Sequence, residues 1–263
     1  MIRRIDALSY TNAFRHLSPM WKSAFAAVMF ILSYLLHPVL QLAISLWMIQ
    51  WCIGYARIPL RTYSLLLGSA LLFYCISLPA LLIEMGQQAV PEAVMSVHLP
   101  LSSVSLYITT AGILRGSLLL ARVAACMTCF LFIIFTTPFG ELLQVLRKLR
   151  MPQIVLELML IMYRFLFLLG DTAHGMLLAR RLRGGNRGFV AQLKEFAGMA
   201  GGLLAKTMHR YYGLSQGLLT RGFTGEISMP PYVSRSVPRR YVIEAYAGIT
   251  ALLLAQLWMM WST

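Results

Sequence analysis

The chain is short of acid. Of its 263 residues only 9 are Asp or Glu, against 23 Lys or Arg, and the two signs together make up just 12%. Soluble domains carry about a quarter charged residues. With 59% hydrophobic residues and a mean hydropathy of +0.70, a water-soluble globule is excluded and an integral membrane protein remains. So few carboxylates also supply an acid–base enzyme poorly. The chain has no Gly-x-Ser-x-Gly nucleophile elbow, no His-Glu-x-x-His pair, and no Asp-rich pair of the kind that holds magnesium on a prenyl diphosphate. Its four cysteines, Cys52, Cys75, Cys126 and Cys129, lie inside apolar runs. That position suits small buried thiols, not a disulfide framework. Cys126-Met127-Thr128-Cys129 has CxxC spacing but no partner ligands nearby, and the five histidines are scattered. No metal site and no cofactor is expected. The run Ala200-Gly201-Gly202-Leu203-Leu204-Ala205-Lys206-Thr207 mimics a phosphate-binding loop, but alanine stands at both required glycines and no strand precedes it. The net charge of +14 comes with no nucleic-acid-binding motif. It fits cytoplasmic loops rich in Lys and Arg, against a lipid bilayer.

Basic residues are absent altogether from 62–114, and the segment 84–100 carries Glu84 and Glu92. Such a base-free stretch belongs outside the cell. Residues 1–22 read as a cytoplasmic arm. The uncharged run 23–55 is broken at His37-Pro38 and flanked by Lys22, Arg57 and Arg61, which predicts two short spans in a hairpin. Trp47 and Trp51 are expected near the membrane interface. A third span covers 62–83. Residues 101–137 predict an interfacial first part and then a span over 117–135. Arg122 falls within it, where a charge should face protein or water and pair with a carboxylate or carbonyl. The last span is 241–261, with Trp258 and Trp261 as an aromatic belt. Five spans after a cytoplasmic N-terminus place the C-terminus outside. The expected organisation is an N-terminal arm with transmembrane helices over 1–137, a cytoplasmic helical region over 138–240, and a C-terminal span over 241–263.

Fifteen of the basic residues and five of the acidic ones lie between Pro138 and Arg240. Phe139, Leu142, Leu143, Leu146 and Leu149 follow helical spacing, with Arg147, Lys148 and Arg150 off that stripe. This is an amphipathic helix suited to the inner membrane surface. Residues 153–183 form a second, proline-free run. Its three charges, Glu157, Arg164 and Asp171, recur every seven residues and so share one helix face. A polar stripe on an apolar rod suits a groove between helices; a sixth membrane crossing is the alternative. A third helix is expected over 190–221. Its glycines, Gly198, Gly201, Gly202, Gly213 and Gly217, suit close helix crossing, with flexibility as the competing reason. Both long helices end alike, in Leu178-Ala179-Arg180-Arg181-Leu182-Arg183-Gly184-Gly185 and in Leu218-Leu219-Thr220-Arg221-Gly222-Phe223-Thr224-Gly225. Cations favour helix C-termini and glycine stops helices, which alone accounts for an Arg-Gly end. Two such ends in one basic block also suit bidentate docking onto a partner's carboxylates.

These residues carry a family likeness. The chain resembles the transmembrane T component of energy-coupling factor (ECF) transporters, of the cobalt/nickel CbiQ type. The likeness is strongest at Thr136-Thr137-Pro138-Phe139, Tyr163-Arg164-Phe165, the run 178–185 and Thr220-Arg221-Gly222-Phe223. It implies an L-shaped, all-α integral membrane protein with about five transmembrane helices and three cytoplasmic coupling helices, in the bacterial cytoplasmic (inner) membrane. Two ATP-binding ECF/ABC ATPase subunits are implied as partners. So is a membrane-embedded, substrate-binding S component of the CbiM type, with or without a small accessory membrane subunit. Arg183 and Arg221 would insert into grooves of the ATPases, with Gly184 and Gly222 as stops. Arg181 shares the first role, because Leu182 and Thr220 stand where the family commonly has small residues. Glu157, Arg164 and Asp171 would meet the S component. The chain itself would then be no enzyme but a coupler, serving cobalt or nickel uptake. A T component serving a vitamin S component is one alternative. Another is a self-sufficient permease with Arg122, Glu157, Arg164 and Asp171 along a polar path.

Overall fold

The computed structural model describes residues 2–86, 93–98, 105–182, 188–222 and 236–262. The chain is an all-helical membrane protein with one small added sheet. Nine helices run in the order α1 (Ile2–Thr11), α2 (Pro19–Leu35), α3 (Pro38–Gln50), α4 (Leu60–Leu82), α5 (Thr110–Thr136), α6 (Phe139–Lys148), α7 (Gln153–Leu182), α8 (Phe189–Leu219) and α9 (Arg239–Ser262), counted among the described residues. They pack as two compact units, residues 1–142 with 234–263, and residues 143–233.

The first unit is built around α5, which packs against α2, α3 and α4. The break at His37-Pro38 is real: α2 stops at Leu35 and Pro38 opens α3, where its missing N–H costs nothing. Trp51 follows α3 in a single π-turn, Trp51–Tyr55, and is 1% exposed. Its ring meets Phe25 at 4.9 Å, Tyr55 at 5.4 Å and Phe14 at 6.0 Å, centroid to centroid. Trp47 and Trp51, expected near the interface, are both packed against protein. Trp51 anchors the core, and Trp47 packs onto α9, where a Cβ on Gly248 would fall inside the Trp47 ring. Only glycine lets α9 come that close. The His37 N–H also donates to Gln256 Oε1 at 3.1 Å, so α9 runs antiparallel to α3. Trp258 and Trp261 are exposed, as an aromatic belt requires. All four thiols are free.

Two charges inside this unit find partners that the sequence did not indicate. Lys22 is fully buried. Its Nζ donates to the Thr136 carbonyl at 2.8 Å, the Phe14 carbonyl at 3.3 Å and Glu141 Oε2 at 3.0 Å. One ammonium thus ties the start of α2 to the end of α5 and the first turn of α6. Arg122 places its guanidinium 5.0 Å from the centre of the Tyr34 ring. A cation–π contact stands where a carboxylate or carbonyl was expected.

The region after α4 also differs. Instead of a loop and an interfacial segment, three strands form an antiparallel sheet in the order β1 (Ile83–Gly86), β3 (Ser105–Thr109), β2 (Ala93–His98). Ile83 pairs with Ile108, and His98 with Ser105. Alternating Ser105-Leu106-Tyr107-Ile108-Thr109 satisfies strand periodicity, and the missing charge concealed it. Helix α5 then starts at Thr110, earlier than expected, and runs 27 residues.

Among the described residues five helices are long and apolar enough to cross a membrane: Pro38–Tyr55 (with its π-turn), Leu60–Ala80, Gly112–Thr136, Gln153–Leu182 and Arg239–Trp261; Pro19–Leu35 is apolar but shorter.

Candidate docking ends of the long helix pair

The second unit is a pair of long helices reached through a tight joint. Helix α6 ends in a Schellman turn. The Met151 N–H bonds back to Leu146 and the Arg150 N–H to Arg147, with Arg150 in the left-handed region at φ 63°. Pro152 then blocks continuation, and α7 begins at Gln153. Thirty helical residues at about 1.5 Å each make α7 roughly 45 Å long.

Helix α8 returns antiparallel alongside α7. Arg180 Nε lies 2.6 Å from Glu195 Oε2, and its guanidinium sits 4.7 Å from the centre of the Phe196 ring. Further along, a Cβ on Gly202 would meet Met176 Cε at 3.2 Å. Further still, Arg164, Phe165 and Leu168 of α7 face His209, Arg210, Gly213 and Leu214 of α8 across a groove of about 410 Å³. The partner positions climb on one helix as they fall on the other. Of the five glycines expected at the crossing only Gly202 is there; Gly198, Gly201, Gly213 and Gly217 have open space where a side chain would go.

An antiparallel pair sends its two C-termini to opposite ends. Helix α7 stops at Leu182, with Arg181 exposed on its last turn. Arg183 and Gly184 lie outside the described residues. At the other end, α8 tightens from i→i+4 bonding at Thr220 (to Gln216) to i→i+3 bonding at Arg221 (to Leu218) and Gly222 (to Leu219). Gly222 takes φ 72°, which glycine adopts freely, and Arg221 is exposed on the final turn. The tip is a helix end carrying one exposed arginine.

The three charges spaced by seven do not act alike. Glu157 accepts a hydrogen bond from Gln153 Nε2 at 2.9 Å within its own helix. Arg164 lines the groove toward α8, and Asp171 is exposed elsewhere on α7. The Arg180–Glu195–Phe196 clamp was not anticipated. Its signal was available only once α7 and α8 are taken as an antiparallel pair, since residues equally far from their connection then face each other. Among the described residues no group of three His, Cys, Asp or Glu converges in the manner of a metal site.

Comparison with known proteins identifies a family. The profile of CbiQ, "Cobalt transport protein", matches residues 11–232. The cobalt transport protein CbiQ of Salmonella typhimurium is 26% identical over 239 residues, 86% of this chain and 99% of that protein. The protein of the same name in Rhodobacter capsulatus is 30% identical over 172 residues, 65% of this chain and 64% of its own. A chain of Methanocorpusculum labreanum named as a fused cobalt transport protein, CbiMQ, is 30% identical over 123 residues, 47% of this chain and 20% of its own length. The match takes in α2 to α8, well over half of the chain, and on that coverage the chain belongs to the CbiQ family of cobalt transport proteins.

Proposed function

We propose that this chain is the energy-coupling transmembrane subunit of an ECF-type importer for cobalt, or nickel. In this reading α6, α7 and α8 are its cytoplasmic coupling helices. The observation that carries it is the antiparallel α7–α8 pair with an arginine-bearing C-terminal turn at each end, roughly 45 Å apart along α7. Two ends so separated suit two ATP-binding subunits, one guanidinium to each groove. Arg221 takes one, with Gly222 as its stop; Arg183, before Gly184 and supported by Arg181, takes the other. ATP-driven closure of the partners would press on both ends. The Arg180–Glu195 and Met176–Gly202 contacts would carry that motion along the pair as one body. The shift draws on the partners' different affinity for the two states.

The helix pairing also argues against a sixth crossing. Helix α7 by itself is apolar enough to span a membrane. If it did, its antiparallel neighbour α8 would be drawn into lipid with Lys206, His209 and Arg210. Each charge at membrane depth costs about 2.5–3.5 kcal/mol on insertion scales. Lying along the inner surface avoids that cost. It leaves α2, α3, α4, α5 and α9 as the spans, with the N-terminus inside and residues 138–240 cytoplasmic.

The fused CbiMQ relative supports a CbiM-like S component as the membrane neighbour, and the CbiQ relatives support cobalt as cargo. Glu157 and Asp171 meet that neighbour in this reading, while Arg164 lines the groove toward α8. The test is co-purification of the ATPases with Arg183→Glu and Arg221→Glu variants expressed beside their native partners. Each variant should lose most of the bound ATPase, and the pair together should abolish metal uptake. Normal assembly and uptake in the double variant removes the docking reading.

A further inference from the structure

The groove between α7 and α8 has a chemistry that docking at the helix ends does not use. Arg164 and Arg210 face it from opposite helices, with His209 beside them, over a floor of Phe165, Leu168 and Leu214. No carboxylate lines it. Neither guanidinium has an ion-pair partner among the described residues. Two like charges set across a helix pair repel, at a cost of a few tenths of a kcal/mol when exposed. Two arginines kept on facing helices, above an apolar floor, suit an anion that brings an apolar tail.

The surroundings indicate which anion. Along α7, Ile154, Leu158, Met162 and Leu166 are all exposed; at 3.6 residues per turn Ile154 shares the groove's helix face, and Met162 and Leu166 turn away from it. On α8, Tyr211 and Tyr212 are exposed beside Arg210. Tyrosine is the residue of the headgroup layer, and arginine pairs bidentately with phosphate. At about 410 Å³ the groove lies within the range of small-ligand sites, roughly 300–1,000 Å³. We infer that it binds the phosphate of an anionic phospholipid of the inner leaflet, with the acyl chains starting over Phe165, Leu168 and Leu214. The inference rests on the proposed placement of α7 and α8 along that surface.

Native mass spectrometry on the full-length chain in neutral detergent, titrated with phosphatidylglycerol and with phosphatidylcholine, tests it. One phosphatidylglycerol should bind in preference. Removing both charges in Arg164→Gln/Arg210→Gln should weaken it roughly 25-fold, about fivefold per guanidinium. Lys194→Gln, an exposed charge outside the groove, should change it less than about twofold. Equal binding of the two lipids overturns the inference. So does undiminished binding in the double variant, an equal loss in Lys194→Gln, or displacement by millimolar inorganic phosphate. If the double variant keeps the lipid but releases a co-purified membrane protein, the groove belongs to a partner's acidic side chain instead. Arg221→Glu separates this from the coupling reading: it should release ATPase and leave lipid binding intact. Retained ATPase with intact lipid binding defeats the coupling reading alone.

Discussion

The membrane unit and the long helix pair solve opposite problems. In the first, Phe14, Met29, Ile44, Trp51 and Phe132 are all at most 1% exposed, and even a lysine is sealed inside. In the second, α7 buries one residue, Leu156, and among the described side chains of α8 none is buried. Yet α7 is among the more apolar helices of the chain. A helix that hydrophobic with so little covered needs lipid or another protein against it. The membrane unit carries its own core, and the helix pair is completed by what it touches. The largest effects of mutation on folding should therefore fall in the first, and the largest effects on assembly in the second.

Lys22 should show the biggest loss of folding. Replacing it with Met takes the Lys22 ammonium from Glu141, whose side chain is 13% exposed, and from the Thr136 carbonyl, while the Phe14 carbonyl keeps the Leu17 N–H. Breaking one side of a buried pair costs about 3–5 kcal/mol. Thermal melting in detergent and monodisperse yield should both collapse for Lys22→Met. Adding Glu141→Leu should recover part of the loss. A variant that melts like the native chain would mean that the core does not depend on this tie and would narrow the contrast between the units.

A pair of glycines sharpens the same contrast. In Gly248→Ala the new methyl must displace the Trp47 ring or lift α9 away. Overpacking of this kind costs about 1–3 kcal/mol. In Gly213→Ala on α8 the methyl meets nothing, and alanine gains up to about 1 kcal/mol in a helix interior. Melting should move in opposite directions for the two variants, and protease sensitivity at the base of α9 should rise only for the first. Equal behaviour would show that α9 is held by lipid alone.

Much of this was legible from residue order because hydropathy and charge act locally. The His37-Pro38 break, the α6 stripe, the two long helices and the Arg-Gly end at 221–222 all follow from neighbours within one or two turns. The misses were long-range. Nothing near Lys22 in sequence announces Glu141, more than a hundred residues away. Trp47 and Trp51 read as belt residues because their burial depends on Phe25, Phe132 and Gly248. The small sheet was hidden because its strands are short and lie in a stretch read by its missing charge. The glycines of α8 were read as a crossing, but small residues permit close approach without requiring it, and only Gly202 uses the permission.

The smallest effect tests the helix pair from inside. Arg180 and Glu195 are 23% and 29% exposed, so solvent screens much of their attraction. The ring of Phe196 beneath the guanidinium adds a contact that needs no carboxylate. A double-mutant cycle of Arg180→Ala and Glu195→Ala should give a coupling of about 0.5–1 kcal/mol, read from thermal melting. Arg180→Ala should loosen α7 from α8, which spin-label distances across the pair would record, yet keep more bound ATPase than Arg221→Glu does. That ordering follows from position: Arg180 is spent on its neighbouring helix, and Arg221 is exposed on the last turn of α8. If Arg180→Ala releases the ATPases as fully as Arg221→Glu, the first docking end includes the clamp, and the two ends of the pair are not alike.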